Sequence, residues 1–331
     1  MTVLDHQWGL KMESTYGTPV VVDRFMEFTS ESLKPEYPRL MSSSRRPGQA
    51  YTRSDRTARP GFTTVGGSIK HVVLSKQWGL VPKLAFGTVA TSGPAETTVY
   101  THTYSVTAGN LTGVSATMQL GKAFTDGTVQ PLTYAGVKSS GLTLATGIGD
   151  LLMCDLNVVH ASAEATATAL ASATYPSGAE VFSYVGGALT VDAGAVPVSA
   201  ASFTIENNYA KRPKLGNAPG LEPLETSPGR RVSCSFAAEF TSMSLLNKVR
   251  ATTAAGGQAA IVLSWQAPTL IGTTLFPKIT ITIPVLEVLG DFVNVDDIGN
   301  GVLQVPINGE ALVNTSGVLA TLAYQTTDTT P

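Results

Sequence analysis

Apolar and polar residues alternate with a period of two in several stretches of the chain, among them residues 100–106, 115–120, 154–160 and 279–283. Such alternation is typical of antiparallel strands with one buried and one solvated face. The sequence therefore predicts an all-β protein. Because Pro284 cannot donate a backbone hydrogen bond, the last of these strands is predicted to lie at an edge or to contain a bulge.

Two short helices are predicted to flank the sheets. The first spans residues 78–86, with Ser75 as its cap and Pro82 in its first turn, where proline is tolerated. The second spans residues 244–250 and ends in cations, which suit the negative end of a helix. The residues expected to face the core are Trp78, Val81, Ala85 and Phe86 in the first helix and Leu245, Leu246 and Val249 in the second.

A segment near the start of the chain recurs in its second half. Residues 28–40 align without a gap with residues 203–215. The shared positions are Phe28, Thr29, Glu31, Pro38 and Leu40, which match Phe203, Thr204, Glu206, Pro213 and Leu215. A loop, a Pro-Gly pair and a strand-like run follow each copy, the runs being residues 65–73 and 232–240. Because repeated units usually pack against one another, we predict a duplicated module.

The chain of 331 residues is long enough for two modules that each bury a core. The first module is predicted at residues 1–165 and the second at residues 166–331. Both are expected to be β-sandwiches or half-barrels. Residues 162–202 are rich in Ala, Ser, Thr and Gly, so the first part of this segment is predicted to be a linker.

Charged residues make up 14% of the chain, well below the roughly 25% that is typical of globular proteins. Hydroxyl side chains, threonine above all, must therefore supply much of the polar surface. The net charge of −2 leaves little repulsion between copies and favours assembly. We expect no membrane partner, since no apolar run is long enough to span a bilayer. The first residues do not resemble a signal peptide, so we expect synthesis in the cytoplasm.

Residues 34–61 combine many cations with turn-forming residues and lack hydrophobic periodicity, which predicts a long loop. Its seven basic residues are Lys34, Arg39, Arg45, Arg46, Arg53, Arg56 and Arg59. Three interpretations are open: a solvated loop, a nucleic-acid contact, or a docking element that holds a neighbouring copy. We favour docking, because arginine makes bidentate hydrogen bonds to carboxylates, whereas the net charge does not favour nucleic acid.

The C-terminal part of the chain carries the opposite charge. No lysine or arginine occurs from residue 279 onward. The acidic residues that could form a counter-surface for the loop are Glu287, Asp291, Asp296, Asp297 and Glu310. The chain is therefore basic early and acidic late.

No pattern of residues indicates catalysis, so we predict that the protein is not an enzyme. The four histidines are His6, His71, His102 and His160, and they occur singly. Gly147 and Gly149 lack the third glycine of a dinucleotide site and predict a hairpin turn. Asp296 and Asp297 lack the ligand spacing of an EF-hand. We expect no catalytic, cofactor or metal site, and we expect Cys154 and Cys234 to be buried free thiols.

An ordered set of residues gives the chain a family resemblance. The set comprises Lys11, Glu13, residues 16–19 (Tyr-Gly-Thr-Pro), the strand-like run 25–31, residues 53–56 (Arg-Ser-Asp-Arg) and the glycine pair 66–67. With these residues the chain resembles the major tail tube protein of long, non-contractile-tailed bacteriophages. The resemblance covers most of the chain and is clearest over residues 9–87.

The resemblance implies a structural subunit of the virion tail, assembled in the host cytoplasm. Such proteins stack as rings whose inner strands form a continuous β-barrel, through which double-stranded DNA passes during ejection without specific binding. A long loop reaches the adjacent ring, and residues 34–61 occupy the matching place. The other partners implied are the tail tip, tape measure and tail terminator proteins. Because known rings are pseudo-sixfold, a duplicated module favours a trimeric ring over a hexameric one.

The threonine-rich strands and the acidic residues near the C-terminus predict a hydroxyl-rich, mildly acidic lumen, since a basic wall would bind phosphates and slow the passage of DNA. Two other classes of function stay open at this stage. One is a capsid decoration protein, and the other is a surface adhesin built from two sandwich domains.

Overall fold

The computed structural model describes residues 6–36, 38–41, 47–48, 58–60, 64–107, 111, 113–159, 169–210, 225–226, 229–239, 243–251, 253, 255–290, 298–299 and 302–331. Most of these residues lie in β-strands, and two short α-helices accompany them. The predicted all-β class with short flanking helices is therefore confirmed.

In the first half of the chain, the elements are β1 (Gln7–Met12), β2 (Arg24–Met26), β3 (Ser30–Glu31), β4 (Lys34–Glu36), β5 (Arg39–Met41), β6 (Ala58–Pro60), β7 (Thr64–Val72), α1 (Leu80–Phe86), β8 (Thr88–Ala95), β9 (Val99–Thr107), β10 (Ala116–Ala123), β11 (Val129–Gly147) and β12 (Met153–Val159). In the second half, they are β13 (Gly187–Val191), β14 (Gly194–Ala195), β15 (Val198–Glu206), β16 (Tyr209–Ala210), β17 (Glu225–Thr226), β18 (Arg231–Glu239), α2 (Ser244–Val249), β19 (Gln258–Gln266), β20 (Lys278–Gly290), β21 (Ile298–Gly299), β22 (Val302–Ala311) and β23 (Val318–Thr326).

The main layer is an antiparallel sheet with eight strand positions, which we call the eight-strand sheet. Its order is β3 with β4, then β7, β12, β11, β15, β18, β22 and β20. Strands β3 and β4 follow one another along the same edge of β7. The sheet is open, and strands from both halves of the chain meet in its middle.

Two covering sheets lie beside the main layer. The first has the order β2–β1–β10–β11, and the second has the order β14–β13–β19–β20–β23–β9–β8. Strands β11 and β20 are long enough to belong to two layers. In β20 the transition falls at Pro284, where Ile261 pairs with Ile283 but Ala259 pairs with Leu286. The predicted bulge at Pro284 is confirmed, although both edges of β20 are paired nearby.

The same order of strand pairing occurs twice. The first half of the chain has the order β2–β1–β10–β11–β12–β7–β4, and the second half has the order β14–β13–β19–β20–β22–β18–β15. The helices α1 and α2 follow the equivalent strands β7 and β18. Strands β8, β9 and β23 stand outside this pattern. The pairing of β11 with β15 joins the two halves.

The buried apolar residues of both halves form one connected core. The rings of Trp8 in β1 and His71 in β7 lie 5.1 Å apart, which joins the first covering sheet to the eight-strand sheet. The ring of Phe86, at the end of α1, stacks at 6.2 Å on Phe203 in β15. These contacts connect the two halves of the chain through one core. The division of the chain into modules at residue 165 stays a prediction.

Helix α1 buries the residues that its sequence predicts, but its predicted cap is wrong. The helix begins after Gly79 without a side-chain cap. The Ser75 hydroxyl instead accepts a hydrogen bond from the backbone N–H of Glu180 at 2.8 Å, because Ser75 lies in the turn that leads to the helix. Pro82 is in the first turn, as predicted, and Leu245 and Leu246 of α2 are buried.

Two further expectations need correction. Residues 115–120 do not have a wetted face, since all six are buried. Residues 169–171 cover that face, where Gln119 exchanges hydrogen bonds of 3.0 and 2.9 Å with Ala169 and Ala171. The predicted strand at 25–31 is interrupted between β2 and β3.

The turn and the cysteines agree with the sequence. The N–H of Asp150 donates to the carbonyl of Gly147 at 3.1 Å, which closes the predicted hairpin turn between β11 and β12. Cys154 and Cys234 are buried free thiols, as predicted. Burial raises the pKa of the Cys234 thiol to about 12.

Candidate functional site

One face of the eight-strand sheet packs on the core, and the other is open to solvent. In β12, for example, Cys154, Leu156 and Val158 are buried, whereas Asn157 is exposed. We call the open side the polar face. It combines residues from both halves of the chain, which makes it the candidate functional site.

A single row of side chains crosses all eight strand positions of the polar face. Directly paired residues place Ser30, Lys70, Asp155, Thr143, Thr204, Ser233, Glu310 and Glu287 in this row, from β3 to β20. Paired residues in antiparallel strands share a face, so these side chains lie side by side. Half of the row is hydroxyl, and its charges are one cation and three carboxylates.

The row of side chains on the polar face includes hydrogen bonds and ion pairs between neighbouring strands. The hydroxyl oxygens of Thr143 and Thr204 are 3.1 Å apart. The Lys70 Nζ lies 3.5 Å from Asp155 Oδ2. The Arg231 guanidinium donates two hydrogen bonds of 2.8 Å to the Glu310 carboxylate. This bidentate pair lowers the pKa of Glu310, which therefore stays ionised near neutral pH.

Carboxylates outnumber cations on the described part of the polar face. Its cations are Lys34, Lys70 and Arg231, and its carboxylates are Glu36, Asp155, Glu206, Glu239, Glu287 and Glu310. Two depressions hollow this face, one of about 870 Å³ lined by polar residues such as Asn157 and Thr204. The other, of about 530 Å³, is lined by smaller residues such as Ala200 and Pro306. The surface is therefore concave, hydroxyl-rich and mildly acidic.

The two ends of the eight-strand sheet differ. The end of β4 lies at the start of β7, where Glu36 pairs with Thr64. The turn between β11 and β12 lies at the other end of β7, where Met153 pairs with Val72. We call these the loop end and the hairpin end. The chain also leaves β15 and returns to β18 at the loop end, since Glu206 pairs with Arg231 there. Both long connections between repeated strands thus start from one end.

The predicted basic residues are placed only in part. Lys34 lies in β4 at the edge of the polar face, and Arg39 is an exposed residue of β5. Arg59 lies in β6, which pairs with β5. Arg45, Arg46, Arg53 and Arg56 lie outside the described residues. The role of these seven residues in contacts between subunits stays a prediction.

The predicted acidic residues separate into two groups. Glu287 and Glu310 pair directly across β20 and β22 on the polar face. Asp291, Asp296 and Asp297 lie outside the described residues, between the end of β20 and β21. Sequence reasoning did not identify Arg231 as the partner of Glu310, because no spacing rule links residues 79 positions apart.

A buried polar cluster, which we call the junction network, lies where β11 passes between layers. The Glu13 carboxylate accepts hydrogen bonds of 2.8 to 2.9 Å from the Gly17 and Gly136 N–H groups and from the Ser115 and Thr117 hydroxyls. Four donors from three separate segments therefore converge on one buried carboxylate, as a structural anion site requires.

The junction network continues to the loop end. The buried Lys138 ammonium donates to the Leu111 carbonyl at 2.7 Å and lies 5.4 Å from the ring centre of Tyr16. Burial lowers the pKa of Lys138 to about 8. Arg230 donates to Asn207 at 2.9 Å and to the Ala85 carbonyl, at the end of α1, at 2.8 Å. These bonds fix both ends of the connection between β15 and β18.

His71 and His102 have structural partners. Trp78 donates its indole N–H to His71 Nε2 at 3.0 Å, and burial lowers the pKa of His71 to about 3. The ring of His102 bonds Thr91 and the Asp328 carbonyl. His160 lies outside the described residues. Within the part of the chain that the structure covers, no group of three His, Cys, Asp or Glu residues could hold a metal ion.

A large open sheet with a polar, concave face and two distinct ends is typical of a structural protein, because open strand edges can pair with another chain. The comparison with protein families agrees with this class. The chain belongs to the phage tail tube protein family, whose model, described as phage tail tube protein, matches residues 4–311. A search of curated proteins finds no match. The protein is thus a structural subunit of a phage tail tube and a component of the virion tail.

None of the helices among the described residues has the length and apolar character needed to cross a membrane.

Proposed function

We propose that the polar face lines the channel of a tube made of stacked rings, and that DNA passes along this face during ejection. The eight strand positions within one chain support a multi-chain barrel, because a closed barrel of about eight strands is filled by its own side chains. The side chains of the polar face are instead open to solvent. A channel therefore needs strands from several copies.

The junction between the two halves of the chain suggests how copies join. Strand β15 pairs with β18 on one side and with β11 on the other. Its counterpart by pairing order, β4, pairs with β7 but with no second strand among the described residues. Beyond Glu287, the outer edge of β20 likewise has no described partner strand. Pairing of β20 in one copy with β3 and β4 in the next would repeat the internal β11–β15 junction.

In a pseudo-sixfold ring, as the family resemblance implies, two modules per chain give a ring of three chains, with about 24 strands around the channel. Within the ring, the two halves of each chain act as two equivalent modules. Closure would also remove the exposed strand edges, which otherwise favour aggregation. A polar, mildly acidic wall suits DNA passage, since a basic wall would hold the phosphates. Rings would assemble in the host cytoplasm between tail tip and terminator proteins, around a tape measure protein.

Electron microscopy of the purified protein, with mass measurement in solution before and after concentration, tests this proposal. We expect hollow stacked tubes with three chains in each ring. Rings of six chains would contradict the trimer but keep the tube. A monomer that persists at every concentration, also when the chain is expressed with a tail tip protein, would contradict the tube.

We propose that the basic loop holds adjacent rings together and that Asp291, Asp296 and Asp297 form its acidic counterpart. The loop leaves the eight-strand sheet at the loop end. The three acidic residues follow β20 in the chain, and β20 runs toward the hairpin end, where its antiparallel neighbour β22 begins. The double variant Arg45→Glu and Arg46→Glu should give a folded subunit that does not polymerise. The control is Lys83→Glu with Lys278→Glu, which changes the charge equally outside the loop. Normal tube growth by the loop variant would contradict this role.

A further inference from the structure

We propose that an apolar patch at the hairpin end is the docking site for the β5–β6 hairpin of a second copy in the next ring. This inference rests on the proposed function and names the partner surface of the loop. The patch consists of Ile148, Leu151, Val181, Tyr184 and Val185, all of which are exposed.

Neighbouring backbone contacts join these five residues into one surface. Ile148 and Leu151 belong to the turn between β11 and β12. Residue 183 forms a β-bridge with Leu151, and the N–H of Tyr184 donates to the Asp150 carbonyl at 3.1 Å. Val181 forms a second bridge with Leu74, two residues after the end of β7. Two segments with few charges thus present their apolar side chains to solvent, with Val185 77% exposed.

The β5–β6 hairpin has the complementary property. Its three residue pairs, from Arg39 with Pro60 to Met41 with Ala58, form a separate two-stranded sheet. Consecutive strand residues point to opposite faces, and both Leu40 and Met41 are exposed, with Leu40 at 65%. An isolated two-stranded hairpin is marginally stable in water. The hairpin therefore needs another surface to cover it.

The two surfaces lie at opposite ends of the eight-strand sheet. The hairpin follows β4 at the loop end, and the patch contains the turn at the hairpin end. A contact between different ends of identical copies is heterologous, and without closure it generates an open stack. Charge agrees with this pairing, since Arg39 adjoins Leu40 and the exposed Asp150 lies within the patch. We therefore expect the hairpin of a second copy to cover the patch.

The variant Val185→Asp tests the patch, and Val21→Asp is its control because Val21 is 76% exposed and lies between β1 and β2. Both subunits should unfold at the same urea concentration as the wild type. We expect Val185→Asp to form single rings but to need at least tenfold more protein than the wild type to form tubes. Val21→Asp should form tubes like the wild type.

A mixing experiment identifies the occupant. Leu40→Asp has an intact patch, whereas Val185→Asp has an intact hairpin. In an equal mixture of preformed rings, the hairpins of Val185→Asp should therefore dock on the patches of Leu40→Asp. The result should be pairs of rings without longer tubes, because the outer surfaces of each pair are both altered. Normal tubes from Val185→Asp, or no ring pairs in the mixture, would overturn this inference while the tube function stands. If the wild type forms neither rings nor tubes, the proposed function itself is wrong and the inference fails with it.

Discussion

The hydroxyl oxygens of Thr143 and Thr204 lie 3.1 Å apart at the seam where the two halves of the chain share one sheet. Seven residue pairs form this seam, from Gly141 with Glu206 to Gly147 with Ala200. The stacked rings of Phe86 and Phe203 lie on its buried side. The seam therefore couples the stability of the two halves.

We expect the folded subunit to unfold in one transition because of this shared wall and core. Trp8 and Trp78 report on the first half, and Trp265 reports on the second; all three are buried. In Trp265→Phe the fluorescence reports on the first half, and in the double variant Trp8→Phe with Trp78→Phe it reports on the second half. Within each variant, the urea midpoint measured by fluorescence should coincide with the midpoint measured by circular dichroism. Separate fluorescence and dichroism midpoints within either variant would indicate independently folding modules.

Glu13 should be essential for stability because its carboxylate is satisfied only as an acceptor. In Glu13→Gln, an amide NH₂ replaces one acceptor oxygen and faces groups that themselves donate. Unpaired buried donors of this kind cost about 1–3 kcal/mol each. We expect urea unfolding to show a loss within that range or above it, whereas the exposed control Glu27→Gln should match the wild type. Equal stability of the two variants would contradict the role of the junction network.

His71 should make the subunit sensitive to acid. Burial lowers the folded-state pKa to about 3, while an unfolded histidine has a pKa of about 6.5. The unfolded state therefore binds the proton first, so stability is complete above about pH 6.5 and falls as the pH decreases toward 3. His71→Gln keeps an acceptor for Trp78 but does not titrate.

The measurement is the free energy of unfolding of both proteins at pH 7.5 and pH 5.5. The difference between wild type and His71→Gln should move by about 1.3 kcal/mol in favour of the variant at the lower pH. Comparison of the two proteins cancels the titration of His102 and the carboxylates. A difference that does not change with pH would show that His71 is protonated in the folded state or is accessible to water.

Period-two patterns predicted the strands well where one face is wet. They predicted β12 and β20, whose apolar residues alternate with polar ones. The same rule is wrong for residues 115–120, because Thr117 and Gln119 are buried by bonding to Glu13 and to residues 169–171. Those partners are distant in sequence, so a local pattern contains no information about them.

The sequence repeat also shows the limit of local alignment. Aligning residues 65–73 with 232–240 matches Ile69 with Phe236, and their strand partners are Glu31 and Ala201. By strand pairing, Glu31 therefore corresponds to Ala201. Aligning residues 28–40 with 203–215 instead matches Glu31 with Glu206, which is five residues after Ala201. An odd shift moves a strand residue to the opposite face. Glu206 accordingly pairs with Arg231 on the polar face, whereas Glu31 bonds Lys122 at 2.7 Å.

The candidate site was predictable in composition but not in geometry. Threonine-rich strands and the cation-free C-terminal region predicted a hydroxyl-rich, mildly acidic lumen, and the polar face has this composition. The row through Thr143, Thr204 and Glu310 depends on register between strands that are far apart in the chain. Register is set by packing of the opposite, apolar face, and this can be read only from the folded structure.

The charge of the polar face should control how tightly assembled tubes hold DNA. Glu287 lies directly opposite Glu310, and like charges in such a pair repel each other. The variant Glu287→Lys removes this repulsion, so the fold should tolerate it. Together with Glu239→Lys, it adds two cations to the face that we propose as the channel wall. Each new phosphate contact should steepen the dependence of log affinity on log salt by about 0.9.

Binding of a short DNA duplex to preformed tubes between 50 and 200 mM salt measures this effect. The control is Glu27→Lys with Asp126→Lys, which makes the same charge change at exposed sites outside the eight-strand sheet. We expect wild-type and control tubes to bind weakly and the channel variant to bind tightly at low salt only. If the control binds as tightly as the channel variant, DNA is held on the outside of the tube and the polar face is not its lining.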